Sequence, residues 1–442
     1  MSSAYWDMWT LPGVRGHLDA VSADLDAGLS CLWVVPDDLV RSGTADELLD
    51  RLAARSDSMR VPAPVATRAP GGPARTRVEP VSGSTAPPDW AKGSFSLLKI
   101  DGASPARYDE PVADADPVIE RVLALCGATA EPGVDPLLSA VRSPELRGAV
   151  VVLSAWHEHD RPGTSTLLSR LPALVKEQGQ APGDRPRLLV AARPEDLVAS
   201  TLDPVTTRTH WWWGVKDRLD TAVVVARVRR GRGNDAGWLR ERVTREVIAE
   251  VAGPDLVLAD WLARSWDGAM ARLPQQVAGL AYTASDVPSS AEHGHGRDRP
   301  PLPMRAAWSS GLLDLWEGQA RTSPAADRGV DLGALVWRGQ NRALMPVVDE
   351  HRALLERVVL ARASKSVLAE LDSGATPRTN GRSPANALEL GQMWWLVSSR
   401  RVTVSHAQRK LLLCLRRTRN ALAHLQALDD DELAELTCLI AS

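Results

Sequence analysis

The amino-acid sequence predicts a multidomain fold, α/β in front and all-α behind. Short apolar runs with strand length alternate with helical spacing up to about residue 230, as in a mostly parallel sheet covered on both faces. Beyond that point every periodic segment is helical. A length of 442 residues is too much for one ordinary core, so two or three domains are expected.

Taken in order, "GVRGHLDAVSADLDAGL" has helical spacing and "SCLWVVP" the length of a buried strand. "DDLVRSGT" then reads as a polar turn and "ADELLDRLAAR" as a helix. Residues 59–94, rich in Pro, Arg, Gly and Ser, predict an irregular arm, and "FSLLKID" a further strand. "VIERVLALCGA" and "DPLLSAVRS" predict helices, and "GAVVVLSAW" is the clearest buried strand. "TSTLLSRLPALVKEQ" is expected as helix, "PRLLVAARP" as strand, and "TAVVVARVRR" as a strand following the aromatic run "HWWWG". "GWLRERVTREVIAEVAG" opens the helical part. The Pro-, Ser- and Gly-rich stretch 284–304 is expected as the main linker. "ALVWRGQNRALMPVVDEHRALLERVVLARASKSVLAEL" predicts a long amphipathic helix or a kinked pair. After a polar gap at 372–385 come "ANALELGQMWWLVSSR", "SHAQRKLLLCLRRTRNALAHL" and "DDDELAELTCLIA", the last with an Asp-rich first turn that suits a helix N-terminus.

Hydrophobic residues make up 44% of the chain and the net charge is -3, which excludes coating nucleic acid through overall charge and leaves only local basic patches. The four cysteines are scattered in apolar runs without a CxxC pair, which fits a reducing setting. "MSSAYWDMWTLPG" lacks the pattern of a signal peptide, and no run approaches the roughly 20 apolar residues of a membrane span, so a soluble cytoplasmic protein is expected.

The front layout of helix, strand, turn and helix, followed by "VVVL" and "RLLVAARP", resembles the P-loop NTPases of the AAA+ and STAND kind. There the turn after the first strand reads GxxxxGK[ST], whose backbone cradles phosphate and whose Lys reaches the terminal phosphates. In the matching stretch 37–44, Thr44 falls on the hydroxyl position, Gly43 on the Lys, Ser42 on the second Gly and Asp37 on the first. Asp37 and Asp38 would repel a phosphate, and the acidic pair expected to close the later strand is replaced by Ser154 and Ala155, with Glu158 and Asp160 out of register. The resemblance implies a degenerate, non-hydrolysing domain over 1–233 in which Ser42, Gly43 and Thr44 are the remnant of a nucleotide loop. No nucleotide cofactor is expected.

The C-terminal stretch "RTRNALAHL" places Arg419, Asn420 and His424 in an otherwise apolar helix. At 3.6 residues per turn Asn420 and His424 lie nearly above one another, with Arg419 flanking them. Arg can hold phosphate oxygens and His can move a proton near neutrality, a pair that suffices in principle for metal-free RNA cleavage by the neighbouring 2′-hydroxyl. "RNALAH" at 419–424 resembles the RNxxxH signature of HEPN domains, and "VWRGQNRALMPVVDEHRALLERVV" and "LELGQMWWLVSSRR" fit that helical layout over 331–442. The resemblance implies an endoribonuclease of a prokaryotic defence or toxin-type system, with Arg419, Asn420 and His424 catalytic and no metal. It also implies a homodimer through the bundle that joins two Arg/His sets. Arg416 and Arg417, one turn earlier, would extend the RNA-binding surface. The runner-up is a non-catalytic adaptor using the bundle for dimerisation or RNA binding, with a protein partner of a defence system and no membrane. Residues 234–283 are expected as a helical extension, and 284–330 as linker and connecting helix.

Other motifs read blandly. "HEHD" (157–160) and "HGH" (293–295) offer too few ligands for a metal. "HWWWG" (210–214) is expected to bury its indoles rather than stack bases, Trp394 and Trp395 to join the bundle core, and "RVRRGRG" (227–233) to form a solvated loop.

Overall fold

The computed structural model describes residues 7–64, 117–129, 133–198, 201–232, 237–280, 298–327, 329–373 and 388–441. The strand expected at 95–101, the "HGH" motif and most of the 59–94 arm, the 284–304 linker and the 372–385 gap lie outside them. The described residues form two compact units, one of residues 7–215 with 298–311, the other of 216–280 with 312–441.

The first unit runs α1 (Pro12–Asp26), β1 (Ser30–Val34), α2 (Asp37–Arg41), α3 (Thr44–Ala53), β2 (Ser58–Arg60), α4 (Val118–Leu125), α5 (Pro136–Arg142), β3 (Val150–Ser154), α6 (Arg161–Glu177), β4 (Arg187–Ala192) and β5 (Thr207–Trp211). Its five strands are all parallel, in the order β2-β3-β4-β1-β5. Leu32 of β1 sits beside Val190 on one side and Thr209 on the other. Burial on both faces explains why β3 and β4 are nearly continuous in Val, Leu and Ala and why all five residues of β1 are buried. The stretch 37–44 is not one polar turn. It forms the short helix α2, and only at Gly43, with φ of 76°, does the chain turn into α3.

The second unit begins with α7 (Arg218–Val228), where "TAVVVARVRR" was expected to form a strand. The β-branched run misleads because the entry is a strong helix start. Asp217 accepts from the Leu219 and Asp220 N–H groups, while Asp220 accepts from the Asp217 N–H. Thr221, Val224 and Val225 are buried at helical spacing. The strand lies upstream, over Thr207–Trp211, and takes in only the start of the aromatic run. There follow α8 (Trp238–Ala252), α9 (Leu256–Ser265), α10 (Leu273–Ala278) and α11 (Arg305–Ser309), the last belonging to the first unit.

An antiparallel hairpin, β6 (Leu313–Trp316) and β7 (Gln319–Thr322), interrupts what was expected to be wholly helical. Its two-residue turn, Glu317 and Gly318, has positive φ at both positions, the geometry that matches strand twist. The helices α12 (Leu332–Arg362), α13 (Lys365–Ser373), α14 (Leu390–Ser398), α15 (His406–Ala423) and α16 (Asp430–Ala441) complete the unit. The extension expected at 234–283 and the bundle expected at 331–442 therefore share one unit. Gly339 of α12 lies so close to α8 that a β-carbon there would meet the Val247 Cα at 2.6 Å.

Candidate functional site

Helix α15 carries the RNxxxH residues at its end. Ser405 opens it by accepting from the Gln408 N–H at 3.2 Å, and Gln408 answers by accepting from the Ser405 N–H at 2.9 Å. Leu412, Cys414, Leu415, Thr418 and Leu422 face inward. His424 caps the helix just after Ala423, and its N–H reaches the Asn420 and Ala421 carbonyls at 3.0 and 3.1 Å. The Gln426 and Leu425 N–H groups then bond back to the Ala421 and Leu422 carbonyls at 2.9 and 3.2 Å, closing the helix with a Schellman motif. That motif normally places glycine in the left-handed region. Here Leu425 stands there at φ 60°, mostly exposed, next to the histidine.

The turn is held from α12. The Trp337 indole N–H donates to the Leu422 carbonyl at 2.8 Å. The wholly buried Gln340 amide donates to the Leu428 carbonyl at 2.8 Å and accepts from the Leu428 N–H at 2.6 Å. Sequence reasoning missed both residues, since "VWRGQNR" reads only as amphipathic helix. Arg352 and Glu356, one turn apart, hold Leu388 through its carbonyl and its N–H, which fixes the start of α14.

Asn420 and His424 are exposed, and among the described residues neither side chain has a hydrogen-bond partner. Arg419 is exposed too, but five residues of helix set it about 140° around the axis from His424. It faces Glu389, at 3.7 Å, just before α14. Arg417 instead lies within about 20° of His424, and Arg416 within about 80°. Arg417 is 3.9 Å from the exposed Glu435 of α16. One chain thus gathers Asn420, His424, Arg416 and Arg417 on a common face and leaves Arg419 to the side.

In the first unit, the crevice where connections leave adjacent strands in opposite directions lies between β1 and β4, the usual ligand position in an open parallel sheet. It is filled by the protein's own charges. Asp37 meets Arg193 at 2.7 Å, and Arg193 also holds Asp196 at 2.8 Å. The Asp196 and Asp37 hydrogen bonds push the Arg193 guanidinium above its ordinary pKa, while burial raises that of the neighbouring Glu195 carboxyl. Carboxylates thus already occupy the Arg193 guanidinium at this crevice. Ser42 and Thr44 hydroxyls bond each other at 2.9 Å.

The remaining motifs are structural. Glu158 pairs with Arg121 inside the protein, and Asp160 caps α6. Among the described residues no three His, Cys, Asp or Glu side chains come together as a metal site. Trp211, Trp212 and Trp213 are buried. Contrary to expectation, Arg229 is not in a solvated loop: it is buried and donates to Glu241 at 2.7 Å and to the Trp266 carbonyl at 3.0 Å. Trp395 is not core either. It is 51% exposed, because Leu390, Met393, Leu396 and Val397 form the buried side of α14.

A cleft of about 690 Å³ opens in the second unit between the hairpin, α8 and α12. Its guanidiniums are answered from within. Buried Glu250 faces Arg321 at 3.3 Å, Arg342 at 3.7 Å and Arg338 at 4.0 Å, and Arg342 also meets Glu317 at 2.9 Å. Burial outweighs the carboxylate at Arg321 and lowers its pKa.

Comparison with protein-family models, with curated proteins and with solved structures found no match to this chain.

Proposed function

We propose that the chain is a HEPN-type, metal-independent endoribonuclease, with His424 as the proton-transfer group. Asn420 orients it or the phosphate, and Arg416 and Arg417 draw the strand to it. The observation that carries this reading is the exposure of Asn420 and His424 together, with unspent hydrogen-bonding groups, on a turn that Trp337 and Gln340 hold rigid. Exposed polar groups on a rigid support are what positioning at a reacting phosphate requires. A left-handed leucine beside the histidine also fits a site where function outweighs local backbone preference. Arg419 reaches the same phosphate only from a second copy, so the active form under this reading is a dimer. The front unit, with its crevice closed by Asp37 and Arg193, senses or docks and does not turn over nucleotide.

One observation favours a second reading. Arg419 is turned away from His424 and lies near Glu389, as in a bundle that binds or dimerises without cutting. Purified wild-type protein and His424→Ala, incubated with total RNA in EDTA, separate the two. The nuclease reading requires cleavage by wild type alone. Equal activity in both, or none in either, leaves the adaptor.

A further inference from the structure

The chain carries 55 Asp and Glu against 52 Lys and Arg, yet residues 390–428 contain no acidic residue and seven cations: Arg400, Arg401, Arg409, Lys410, Arg416, Arg417 and Arg419. The structure places Arg400 and Arg401 in the turn after α14 and the other five on α15. Around the α15 axis, Arg409, Lys410, Arg416, Arg417, Asn420 and His424 fall within about 120° of arc. Leu412, Leu415, Thr418 and Leu422 occupy the opposite, buried side. Arg409, Lys410 and Arg417 are exposed, and Arg416 is half-buried. At 18 residues the helix is about 27 Å long, so a basic stripe runs along it and ends at His424.

The far end of the stripe is aromatic. The Arg409 guanidinium lies 5.7 Å from the Trp394 ring centre, and that of Arg401 lies 5.0 Å from the Trp395 ring centre. Trp395 is among the most exposed large apolar side chains of the described residues. A base stacks on any exposed indole whatever its identity, while guanidinium and ammonium groups follow the phosphates.

We infer that Trp395, Arg401, Arg409, Lys410, Arg416 and Arg417 form a docking face for single-stranded RNA, with a base on Trp395 and the backbone led along α15 toward His424. The face is sequence-tolerant, because it offers stacking and charge and no fixed hydrogen-bond pattern. It deepens the nuclease reading and rests on it only for the direction of travel. RNA binding itself needs neither His424 nor a second copy.

The test uses the full chain carrying His424→Ala, so that any bound RNA survives, and an end-labelled 20-nucleotide single-stranded RNA followed by fluorescence anisotropy. Neutralising about five phosphates on a single strand gives a log Kd against log salt slope near 3.5, and each cation removed lowers it by about 0.7. The Arg409→Glu, Lys410→Glu double variant is expected to weaken binding at least tenfold and to flatten the slope. Trp395→Ala is expected to weaken it about tenfold with the slope unchanged. Both change exposed side chains, and unaltered melting confirms the fold. Arg41→Glu, in the other unit, serves as the charge control and is expected to bind normally. The inference is overturned by no binding at low salt, by a slope near zero, by equal loss in the control, or by equal affinity for a polyglutamate of matched charge. RNA binding with these signatures, in a protein whose wild type does not cut, removes the nuclease and keeps the face. Binding that ignores all three substitutions, together with cleavage that ignores them when they are made in the wild-type chain, removes the face and keeps the nuclease.

Discussion

Replacing Gln340 gives the sharpest test of how the turn at His424 is held. The side chain is wholly inaccessible and makes both hydrogen bonds that the Leu428 backbone offers, as an adjacent strand would. Gln340→Met keeps much of the volume and removes both partners. Leu428 is itself 2% exposed, so its N–H and C=O are left buried and unpaired. Each such group costs about 1–3 kcal/mol, so the variant should lose about 2–6 kcal/mol in the second unit. Gln340→Glu discriminates further. Its ionised form still accepts from the Leu428 N–H but repels the carbonyl, whereas its protonated form can again donate. The folded-state pKa of that carboxyl is therefore raised above its unfolded value. Its stabilising share is present at low pH and is lost as pH rises through the folded pKa. Urea unfolding, followed with amide exchange at Leu428 to separate the two units, reads both variants at pH 4.5 and 7.5. A Gln340→Met loss below about 0.5 kcal/mol, or a Gln340→Glu penalty that does not grow with pH, would refute the reasoning.

His17 accepts from the Trp33 indole at 2.9 Å, and burial, then neighbouring His210, lowers its pKa to about 4. A depressed folded pKa means stability fully present above the unfolded value near 6.5 and lost as pH falls toward 4, about 3 kcal/mol in all. Acid titration of unfolding should show that loss in wild type and a smaller one in His17→Gln. Gly339→Ala should destabilise although helix propensity alone favours it by about 1 kcal/mol, because the new methyl meets the Val247 backbone at 2.6 Å. A raised melting temperature would show that α8 and α12 can spread freely. Glu250→Gln leaves Arg218, Arg321, Arg338 and Arg342 without their shared carboxylate and should cost about 3–5 kcal/mol, read by denaturant titration. A loss under about 1 kcal/mol would mean that solvent already screens the cluster.

The strands β1, β3 and β4 were legible because full burial leaves continuous apolar runs bounded by polar turns. Helix α7 was not, since Val-rich sequence satisfies either period and the decision came from the Asp217–Asp220 caps. The β6–β7 hairpin escaped notice because Glu317 stands at a turn position where Asn or Asp is the usual signal. Trp395 was misread for a related reason. Two adjacent tryptophans on a helix are about 100° apart, so Met393 and Leu396 could take the core without them. For the candidate site, the sequence showed the RNxxxH residues and the shared face of Asn420 and His424, but Arg419 was wrongly expected to flank them. Five residues are a poor helical repeat and seven are a good one, so Arg417 rather than Arg419 lies beside His424. The grip of Trp337 and Gln340 on residues 422–428 joins positions 85 and 88 apart in the chain and leaves no local sign.

The chain treats charge in two opposite ways, closed on itself at Arg193 and Glu250 and open along α15. At β1 and β4, Arg193 meets Asp37 and Asp196 within 3 Å, so a phosphate arriving there would have to displace a carboxylate already desolvated in its place. The cleft beside α12 is likewise balanced, around Glu250. Along α15 the only such answers among the described residues are Glu435 near Arg417 and Glu389 near Arg419, both farther than 3.5 Å and exposed. Total charge misses this difference, because charges farther apart than about 10 Å are screened from one another at ordinary salt. A strand approaching α15 meets the local cations and not the net charge of -3. If α15 is the proposed docking face, the same screening should make affinity there fall steeply with salt, whereas the closed pairs at Arg193 and Glu250 should be nearly indifferent to it. Ionic strength is thus the variable that distinguishes a face built to receive a polyanion from charges buried to hold the fold.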